Sequence, residues 1–402
     1  MPVVSFEHVD VIFGPNPTVA VDMLDQGKNR DDIFAKTENL VAVHDATIDV
    51  QEGEICVLMG LSGSGKSSLI RCVNGLNKIT RGHLNIRHKD TLIDLATCDW
   101  STLHNLRTER ISMVFQQFAL MPWRTVRDNV ALGLELSGVP KNKRHQIVEE
   151  KLALVRLDNW ADKFPRELSG GMQQRVGLAR ALATDADILL MDEPFSALDP
   201  LIREHLQDEL IQLQKDLKKT IIFVSHDLDE ALKLGNLIAI MEGGKIVQIG
   251  SPEDIVSNPV NEYVAQFVAS MNPLKVLSCA SLMRPVETLE NDDRKTNSKI
   301  IDPKNQTICT LDDQGRLQKV THSGNDISMI SFKEDLDLKT LPKGTIVTAD
   351  ADTPMRAAVE INFVVGLPLP VIDRIGKLIG VVGNKEIFST ILGKTNKKKS
   401  MV

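Results

Sequence analysis

An apolar run followed at once by a glycine-rich loop and a helix start places the strongest constraint on how this chain can fold. Ile55–Met59 (ICVLM) is apolar at every position, which is typical of a strand buried on both faces of a parallel sheet. Residues 60–67 (GLSGSGKS) match the pattern G-x-x-x-x-G-K-[ST], and the positions after them carry apolar side chains at helical spacing. The sequence therefore predicts an α/β fold with a mainly parallel sheet.

The glycine-rich loop has the composition of a phosphate-binding site. Glycines let backbone N–H groups turn inward around phosphate oxygens, and the following helix aims its first N–H groups at the same anion. We expect Lys66 to reach the β- and γ-phosphates of a nucleotide and the Ser67 hydroxyl to ligate Mg²⁺. An incidental glycine-rich turn is the alternative, and the flanking strand and helix argue against it. The predicted nucleotide contacts of this loop are Gly60, Leu61, Ser62, Gly63, Ser64, Gly65, Lys66, Ser67 and Ser68.

A second apolar strand, residues 188–191, ends in two carboxylates. We expect Asp192 to hold Mg²⁺, directly or through water, and Glu193 to orient the attacking water or accept its proton. Acidic strand-to-loop turns are common in α/β proteins, which is the alternative interpretation. The presence of the phosphate loop in the same chain favours the catalytic one.

Residues 168–175 (LSGGMQQR) form another helix start that offers N–H groups to an anion. Ser169, Gly170 and Gly171 precede apolar residues at helical spacing. A single ATP molecule does not need two such phosphate-binding helix starts. With both motifs present, the chain resembles the ATP-binding cassette (ABC) superfamily over roughly residues 3–270. The resemblance implies that ATP is bound with Mg²⁺, and that Ser169, Gly170 and Gly171 of one copy close over the ATP held by the phosphate loop of a second copy.

Further positions match the site residues of that superfamily. The resemblance implies that Phe13 stacks on adenine, that Gln116 senses metal and γ-phosphate, and that His226 contacts the γ-phosphate. Residues 196–199 (SALD) resemble the loop that touches the opposite subunit. The catalytic residues would then be Glu193, His226 and Gln116, and the metal site Ser67, Gln116 and Asp192. Taken singly, Phe13 also fits a core position, Gln116 a surface position, Ser196 a helix cap and His226 a strand end.

Composition argues against several classes of function and of site. The 402 residues are 42% hydrophobic, enough for a main domain with appendages, and the net charge of −7 gives no basic field for nucleic acid. The five cysteines are odd in number and show no C-x-x-C pair, which disfavours a disulfide framework or a zinc site. The sequence has neither a leader pattern nor a run of about 18 apolar residues. We therefore expect an intracellular enzyme whose membrane role, if any, depends on a partner chain.

An insertion at about residues 15–40 separates Phe13 from the phosphate loop, and residues 29–33 (NRDDI) have the pattern of a capped helix start. With the stretches 115–124 (FQQFALMPWR) and 225–231 (SHDLDEA), it resembles the ATPase subunits of importers for choline, glycine betaine and related quaternary amines. The resemblance implies permease partners, indirectly a substrate-binding protein, and a place on the cytoplasmic face of the membrane. There are two alternatives. The first is an importer ATPase for a polyamine or an amino acid, and the second is a permease-free ABC ATPase in DNA repair or translation.

The segment after Gln116 contains an apolar cluster, Phe118, Leu120, Met121 and Trp123. Beside a residue expected to sense nucleotide, such a cluster fits a surface that receives the permease. The alternative is that these side chains only build the small helical subdomain.

Beyond about residue 270 the chain changes character. The strand pattern at 345–348, the helix start at Thr353, the strands flanking the turn at 373–376 and a helix at 386–392 resemble a cystathionine-synthase-type (CBS) regulatory repeat. Residues 307–320 carry a strand-turn-strand pattern that indicates a degenerate tandem copy of this repeat. The predicted division is an ATPase domain at 1–270 with a helical subdomain at about 117–165, a linker at 271–306, and a degenerate CBS-like α+β domain with a basic tail at 307–402.

Adenosine-binding repeats of that type usually have Thr or Ser followed three positions later by Asp, whereas this chain has Gly383 and Glu386. A dimerising or ion-sensing module and an inert domain both remain open. The terminal lysines 397–399 fit either a contact with anionic lipid or a solvated end.

Overall fold

The computed structural model describes residues 2–89, 91–269, 272, 274, 276–292, 297–304, 306–333, 335–342 and 344–391. The chain divides into two compact units, Met1–Ile255 and Val256–Val402. Among the described residues, no helix combines the length and the apolar character needed to cross a bilayer.

The first unit is an α/β assembly. Its strands are β1 (Val4–Phe13), β2 (Leu40–Val50), β3 (Ile55–Met59), β4 (Arg81–His88), β5 (Thr91–Asp94), β6 (Ile111–Val114), β7 (Ile188–Asp192), β8 (Thr220–Val224), β9 (Leu237–Glu242) and β10 (Lys245–Gly250). Its helices are α1 (Pro17–Asp25), α2 (Arg30–Thr37), α3 (Lys66–Val73), α4 (Trp100–Glu109), α5 (Val126–Leu136), α6 (Lys141–Leu154), α7 (Gly170–Ala183), α8 (Pro200–Leu217) and α9 (Leu228–Leu234), and α10 (Pro252–Ser257) runs across the division.

The main sheet has the strand order β10-β9-β3-β8-β7-β6. All its pairings are parallel except that of β9 with β10. Every residue of β3, β7 and β8 is buried, because each of these strands has a neighbour on both sides and is covered on both faces. The predicted parallel sheet is confirmed.

A smaller antiparallel sheet, in the order β2-β1-β4-β5, packs its apolar side chains into the same core as β3, β8 and α3. The insertion between β1 and β2 folds into α1 and α2. Asn29 caps α2 by accepting a hydrogen bond from the Asp32 N–H at 2.8 Å, which confirms the predicted capped start. The segment predicted as a helical subdomain contains α5 and α6.

The second unit is built on one mixed sheet. Its strands are β11 (Arg284–Pro285), β12 (Ser298–Asp302), β13 (Thr307–Leu311), β14 (Leu317–His322), β15 (Asn325–Ser331), β16 (Thr345–Asp350), β17 (Leu369–Ile372) and β18 (Leu378–Val382), in the order β11-β18-β17-β16-β15-β14-β13-β12. Its helices are α11 (Glu262–Ala269), α12 (Cys279–Leu282), α13 (Met355–Val365) and α14 (Asn384–Ile391). The predicted strand, helix, two strands and helix at 345–391 are confirmed.

Two turns of the second unit have the same internal geometry. Asp312 accepts hydrogen bonds from the N–H groups two and four residues on, and Asp373 does the same. The strands that follow exchange reciprocal bonds: Leu317 N–H donates to Gly376 O at 3.0 Å, and Leu378 N–H donates to Gly315 O at 3.1 Å. This two-fold relation supports the interpretation of residues 307–320 as a repeat of the later strand pair.

The segment 271–306, predicted as a linker, contains α12, β11 and β12 within its described residues. Although its composition is polar, β12 pairs antiparallel with β13, where Ile300 faces Ile308. Backbone pairing at a sheet edge does not require the apolar pattern on which the linker prediction was based. The CBS-like identity of the second unit stays a prediction, and the lysine tail lies outside the described residues.

Candidate active site

The sheet order brings the predicted catalytic groups to one edge. The phosphate loop follows β3, and His226 follows β8. Asp192 is the last residue of β7 and Glu193 comes directly after it, and Gln116 follows β6. Because β3, β8, β7 and β6 are consecutive parallel neighbours, their carboxyl ends meet at the same side of the sheet. Residues spread over more than 160 positions of the sequence, from Gly60 to His226, are thus assembled by strand order alone.

Two glycines let the phosphate loop pack closely against its neighbours. Gly60 has a φ of +143° and Gly65 a φ of +102°, in the region that favours glycine. A methyl group on Gly60 would lie 2.1 Å from the Met241 carbonyl oxygen, and one on Gly65 would lie 2.3 Å from that of Ala42. Any other residue at these two positions would therefore clash with backbone and reshape the loop.

The Lys66 ammonium is held inside the loop. Its Nζ donates hydrogen bonds to Gly60 O at 2.7 Å and Leu61 O at 2.9 Å, and lies 3.4 Å from Ser64 Oγ. Burial lowers the pKa of Lys66, and the charges of Glu193 and Asp192 act against that shift. The side chain is thus a positioned cation beside the first turn of α3.

Asp192 is fully buried and faces the start of α3. One carboxylate oxygen accepts a hydrogen bond from Ser67 Oγ at 2.8 Å, and the other accepts one from an Arg71 Nη at 2.8 Å. A hydroxyl and a carboxylate oxygen in contact are ligands that suit Mg²⁺. No cluster of three His, Cys, Asp or Glu side chains among the described residues forms a metal cage. This donor pair therefore fits a Mg²⁺ ion whose other ligands come from nucleotide phosphates and water.

Glu193 is the centre of the predicted catalytic set. Gln116 Nε2 donates to Glu193 Oε2 at 3.3 Å, and His226 Nδ1 lies 3.4 Å from the same oxygen. The Glu193 backbone has a φ of +49°, a left-handed conformation that costs roughly 1–2 kcal/mol for a residue other than glycine. The carboxylate lies between the amide of Gln116 and the imidazole of His226.

One cleft gathers most of the predicted nucleotide contacts. The residues that line it are Phe13, Arg30, Leu40, Ala42, Ser62, Gly63, Gly65, Lys66, Ser67, Ser68, Gln116 and Glu193. Phe13 is 40% exposed there rather than part of the core. Its stacking on adenine stays a prediction. The cleft lining includes Arg30, a residue of the insertion that no sequence motif singles out, because its place depends on how α2 packs against β1 and β2.

The glycine-rich start of α7 lies elsewhere. Ser169 caps this helix, with its Oγ 3.4 Å from the Met172 N–H, and both Ser169 and Gly170 are exposed. Neither these two residues nor Gly171 line the cleft. The structure therefore does not bring the two predicted anion-binding helix starts together within one chain.

Gln174 joins α7 to the catalytic segment. The side chain is 1% exposed; its Nε2 donates to Glu193 O at 2.9 Å, and its Oε1 accepts from the Ala197 N–H at 2.9 Å. The available sequence signal was a glutamine on the buried stripe formed with Gly177, Leu178 and Ala181. A buried amide satisfied at both ends fixes the geometry of the backbone that it bonds.

Arg180 makes a parallel connection from the same helix. Its guanidinium donates to Phe118 O at 3.0 Å and to Ala119 O at 2.7 Å. Phe118 and Ala119 both have positive φ angles, of +55° and +48°. Helix α7 therefore holds the loop that follows Gln116 as well as the segment that follows Glu193.

Comparison with known proteins agrees with this geometry. Residues 43–196 match the family model described as ABC transporter. The chain is 41% identical to the glycine betaine transport ATP-binding protein OpuAA of Bacillus subtilis (strain 168), over 97% of this chain and 92% of that protein. It is also 41% identical to the glycine betaine/proline betaine transport system ATP-binding protein ProV of Escherichia coli (strain K12), over 92% of this chain and 93% of that protein.

A solved structure, the post-hydrolysis dimer of the ATP-binding cassette MJ0796 bound to ADP and Pi, is 30% identical with a TM-score of 0.54. It covers 62% of this chain and 98% of its own. The predicted superfamily resemblance and ATPase fold are confirmed. The chain belongs to the family of ABC transporter ATP-binding proteins, which bind ATP with Mg²⁺ and hydrolyse it.

Proposed function

We propose that this chain is the ATP-hydrolysing subunit of an importer that moves a quaternary amine, such as choline or glycine betaine, through a partner permease. The similarity to OpuAA and ProV over nearly the whole chain is the observation that carries the proposal. The glycine betaine/carnitine transport ATP-binding protein GbuA of Listeria monocytogenes is 40% identical over 97% of this chain, and two trimethylamine N-oxide transport ATP-binding proteins are 44% identical. These named solutes all carry a fully substituted nitrogen.

Two copies face each other head to tail in this proposal. Ser169, Gly170 and Gly171 of one copy close over a nucleotide in the cleft of the other. The exposure of Ser169 and Gly170, and the absence of all three residues from the cleft lining of their own chain, support a composite site. Charge-assisted hydrogen bonds from the Ser169 hydroxyl and the glycine amides to the γ-phosphate hold the closed state, and ADP lacks that phosphate. Hydrolysis therefore releases the two copies.

Within each cleft the residues have separate tasks. Lys66 contributes a cation to the β- and γ-phosphates, and Ser67 and Asp192 hold the Mg²⁺ ion, which supplies charge neutralisation of the phosphate oxygens. Glu193 accepts hydrogen bonds or a proton from the attacking water. Gln116 and His226 contact that carboxylate, so both are placed to orient the water and the γ-phosphate.

The permease would dock beside the loop after Gln116. Trp123 is 73% exposed, and an apolar groove nearby is lined by residues that include Phe115, Leu132 and Leu136. Because Arg180 holds this loop on α7, movement of the permease contact and closure over nucleotide would share one helix. Docking on a permease would place the chain at the cytoplasmic face of the membrane, where ATP is available.

Reconstitution of the complete transporter tests this function. The chain, its permease and the binding protein encoded beside it are placed in proteoliposomes with ATP, and uptake of labelled choline, glycine betaine and carnitine is measured. We expect ATP-dependent uptake of at least one of these amines. Uptake of a polyamine or an amino acid instead would contradict the amine assignment, and ATPase activity that no permease couples to transport would support the permease-free alternative.

A further inference from the structure

The insertion at the amino end of the first unit is a folded element with its own small core. Ala20 and Leu24 of α1 and Ile33 of α2 pack with Ile12 of β1 and Val41 of β2. Ile33 is fully buried, so α2 is anchored by its apolar face. The polar residues at the start of α2 are therefore held in place without contributing to that core.

Arg30, the first residue of α2, lies at the nucleotide cleft. Its half-buried side chain lines the cleft together with Gly63, Lys66 and Ser67. A methyl group on Gly244 would lie 3.5 Å from Arg30 Nη1 and 3.0 Å from the Ala42 carbonyl oxygen. The Gly244 N–H in turn donates to Ser64 O at 3.2 Å. The guanidinium is thus next to a turn that is bonded directly to the phosphate loop.

The charge of Arg30 has no counterpart in the part of the chain that the structure describes. No carboxylate or carbonyl there forms an ion pair or hydrogen bond with its guanidinium. Two other arginines of the first unit show the usual pairing with carboxylates: Arg71 bonds Asp192, and Arg81 bonds Asp10 and Asp25. A guanidinium is charged at any physiological pH and has five donors to satisfy. A half-buried, unpaired one beside an anion-binding loop fits an anionic ligand.

We propose that Arg30 binds the phosphate chain of the nucleotide, as a second cation of the cleft beside Lys66. This inference rests on the proposed nucleotide binding in that cleft. The neighbourhood of Gly244, Ala42 and the phosphate loop favours phosphate over the base as its contact. The insertion then has a direct role in the site: it supplies a second cationic donor, a guanidinium, in addition to the lysine of the phosphate loop.

Equilibrium binding of MgADP and of Mg²⁺ with a non-hydrolysable ATP analogue to the full chain tests the proposal. We expect Arg30→Met to weaken both by about tenfold, because a hydrogen bond to a charged group is lost. Arg30→Lys keeps the cation and should recover most of the affinity. Lys36→Met is the matched control, since Lys36 is an exposed cation on the same helix and does not line the cleft.

The outcomes separate the possible explanations. Equal affinities for Arg30→Met and Lys36→Met would overturn the proposal. A loss in Arg30→Met that is equally large for adenosine, which has no phosphate, would indicate contact with the base or the ribose and would also overturn it. If Arg30→Met does not fold, as judged by thermal unfolding, Arg30→Gln provides the uncharged variant. If the unmodified chain binds no nucleotide and Lys66→Ala changes nothing, the proposed function itself is wrong.

Discussion

The two glycine-rich helix starts of this chain look alike in sequence and differ in structure. The phosphate loop before α3, here called the enclosed site, lines a cleft and holds its lysine inside: Lys66 is buried and its ammonium bonds three oxygens of the loop, although residues 61–63 are exposed. The start of α7 is open: Ser169 and Gly170 are exposed and line no part of that cleft. Two helix starts with similar local sequences can therefore differ in whether they lie in a cleft of their own chain, and the local sequence does not distinguish the two.

The difference also extends to what supports each motif. Lys66 and Asp192 are fixed by contacts with the phosphate loop of their own chain: Lys66 donates to Gly60 O, and Asp192 accepts a hydrogen bond from Ser67. Helix α7 instead sends Gln174 back to the Glu193 segment and Arg180 to the loop after Gln116. Side-chain hydrogen bonds thus connect helix α7 to the segments that carry Glu193 and Gln116.

The largest expected effect separates binding from hydrolysis at the enclosed site. Glu193→Gln should lower ATP turnover by roughly 10²–10⁴-fold, since an amide cannot accept the proton of the attacking water. Nucleotide binding should persist and the ATP-bound dimer should become long-lived. Phosphate release and sedimentation measure the two, and Glu109→Gln, an exposed position on α4, controls for the lost charge. Normal turnover in Glu193→Gln would disprove its assignment.

Lys66→Ala removes the cation of the enclosed site. We expect ATP affinity to fall by roughly tenfold to hundredfold, because a charge-assisted contact to phosphate is lost. Equilibrium nucleotide binding measures the effect, with Lys78→Ala, an exposed lysine, as control. Thermal unfolding checks that loss of the contacts to Gly60 and Leu61 leaves the fold intact. Unchanged affinity would mean that the loop does not bind the triphosphate through this lysine.

Substitution of Ser169 tests the open site without removing the helix cap. Asp and Asn both cap helices well, but only Asp places a negative charge toward the partner's phosphate. Ser169→Asp should reduce ATP-dependent dimerisation and turnover by about tenfold relative to Ser169→Asn, and nucleotide affinity of the separate chain should be the same in both. Equal dimerisation of the two variants would remove the contrast between the two helix starts.

The smallest effect concerns the connection between the two sites. Gln174→Met keeps the side-chain length but removes both amide contacts, so the Glu193 segment loses its support. We expect kcat to fall roughly threefold to tenfold with little change in ATP affinity, because the catalytic group is misplaced and the phosphate loop is untouched. Steady-state kinetics and nucleotide binding measure the split, and the exposed Gln212→Met is the control. A change in affinity instead of kcat would indicate a general loss of structure.

Local patterns in the sequence were sufficient for the parallel sheet, the phosphate loop and the elements at 345–391. Each of these depends on periodicity or on a motif confined to a few neighbouring residues. Asp192 and Glu193 were predicted from their place at the end of an apolar strand. Gln116 and His226 were available only through the family resemblance, because their place beside Glu193 depends on strand order. The roles of Asp192, Glu193 and the other site residues stay predictions that the geometry supports.

Contacts between elements distant in sequence could not be predicted. Arg30 reaches the cleft only because α2 packs against β1 and β2, and the bond from Gln174 to Glu193 requires α7 to lie beside the end of β7. The pairing of β12 with β13 was missed for a related reason: an edge strand is fixed by backbone hydrogen bonds that a polar sequence does not reveal.

The order of strands β3, β8, β7 and β6 determines which errors of strand pairing would abolish the activity of this protein. Successive residues of a strand point to opposite faces of the sheet. A pairing error of one residue in β8 would therefore turn the end of that strand, and His226 after it, toward the opposite face. It would also shift His226 along the sheet relative to Asp192. We expect such a molecule to have no ATPase activity, rather than a reduced rate. Turnover per mole of chain is therefore also a count of the molecules whose sheet has paired correctly.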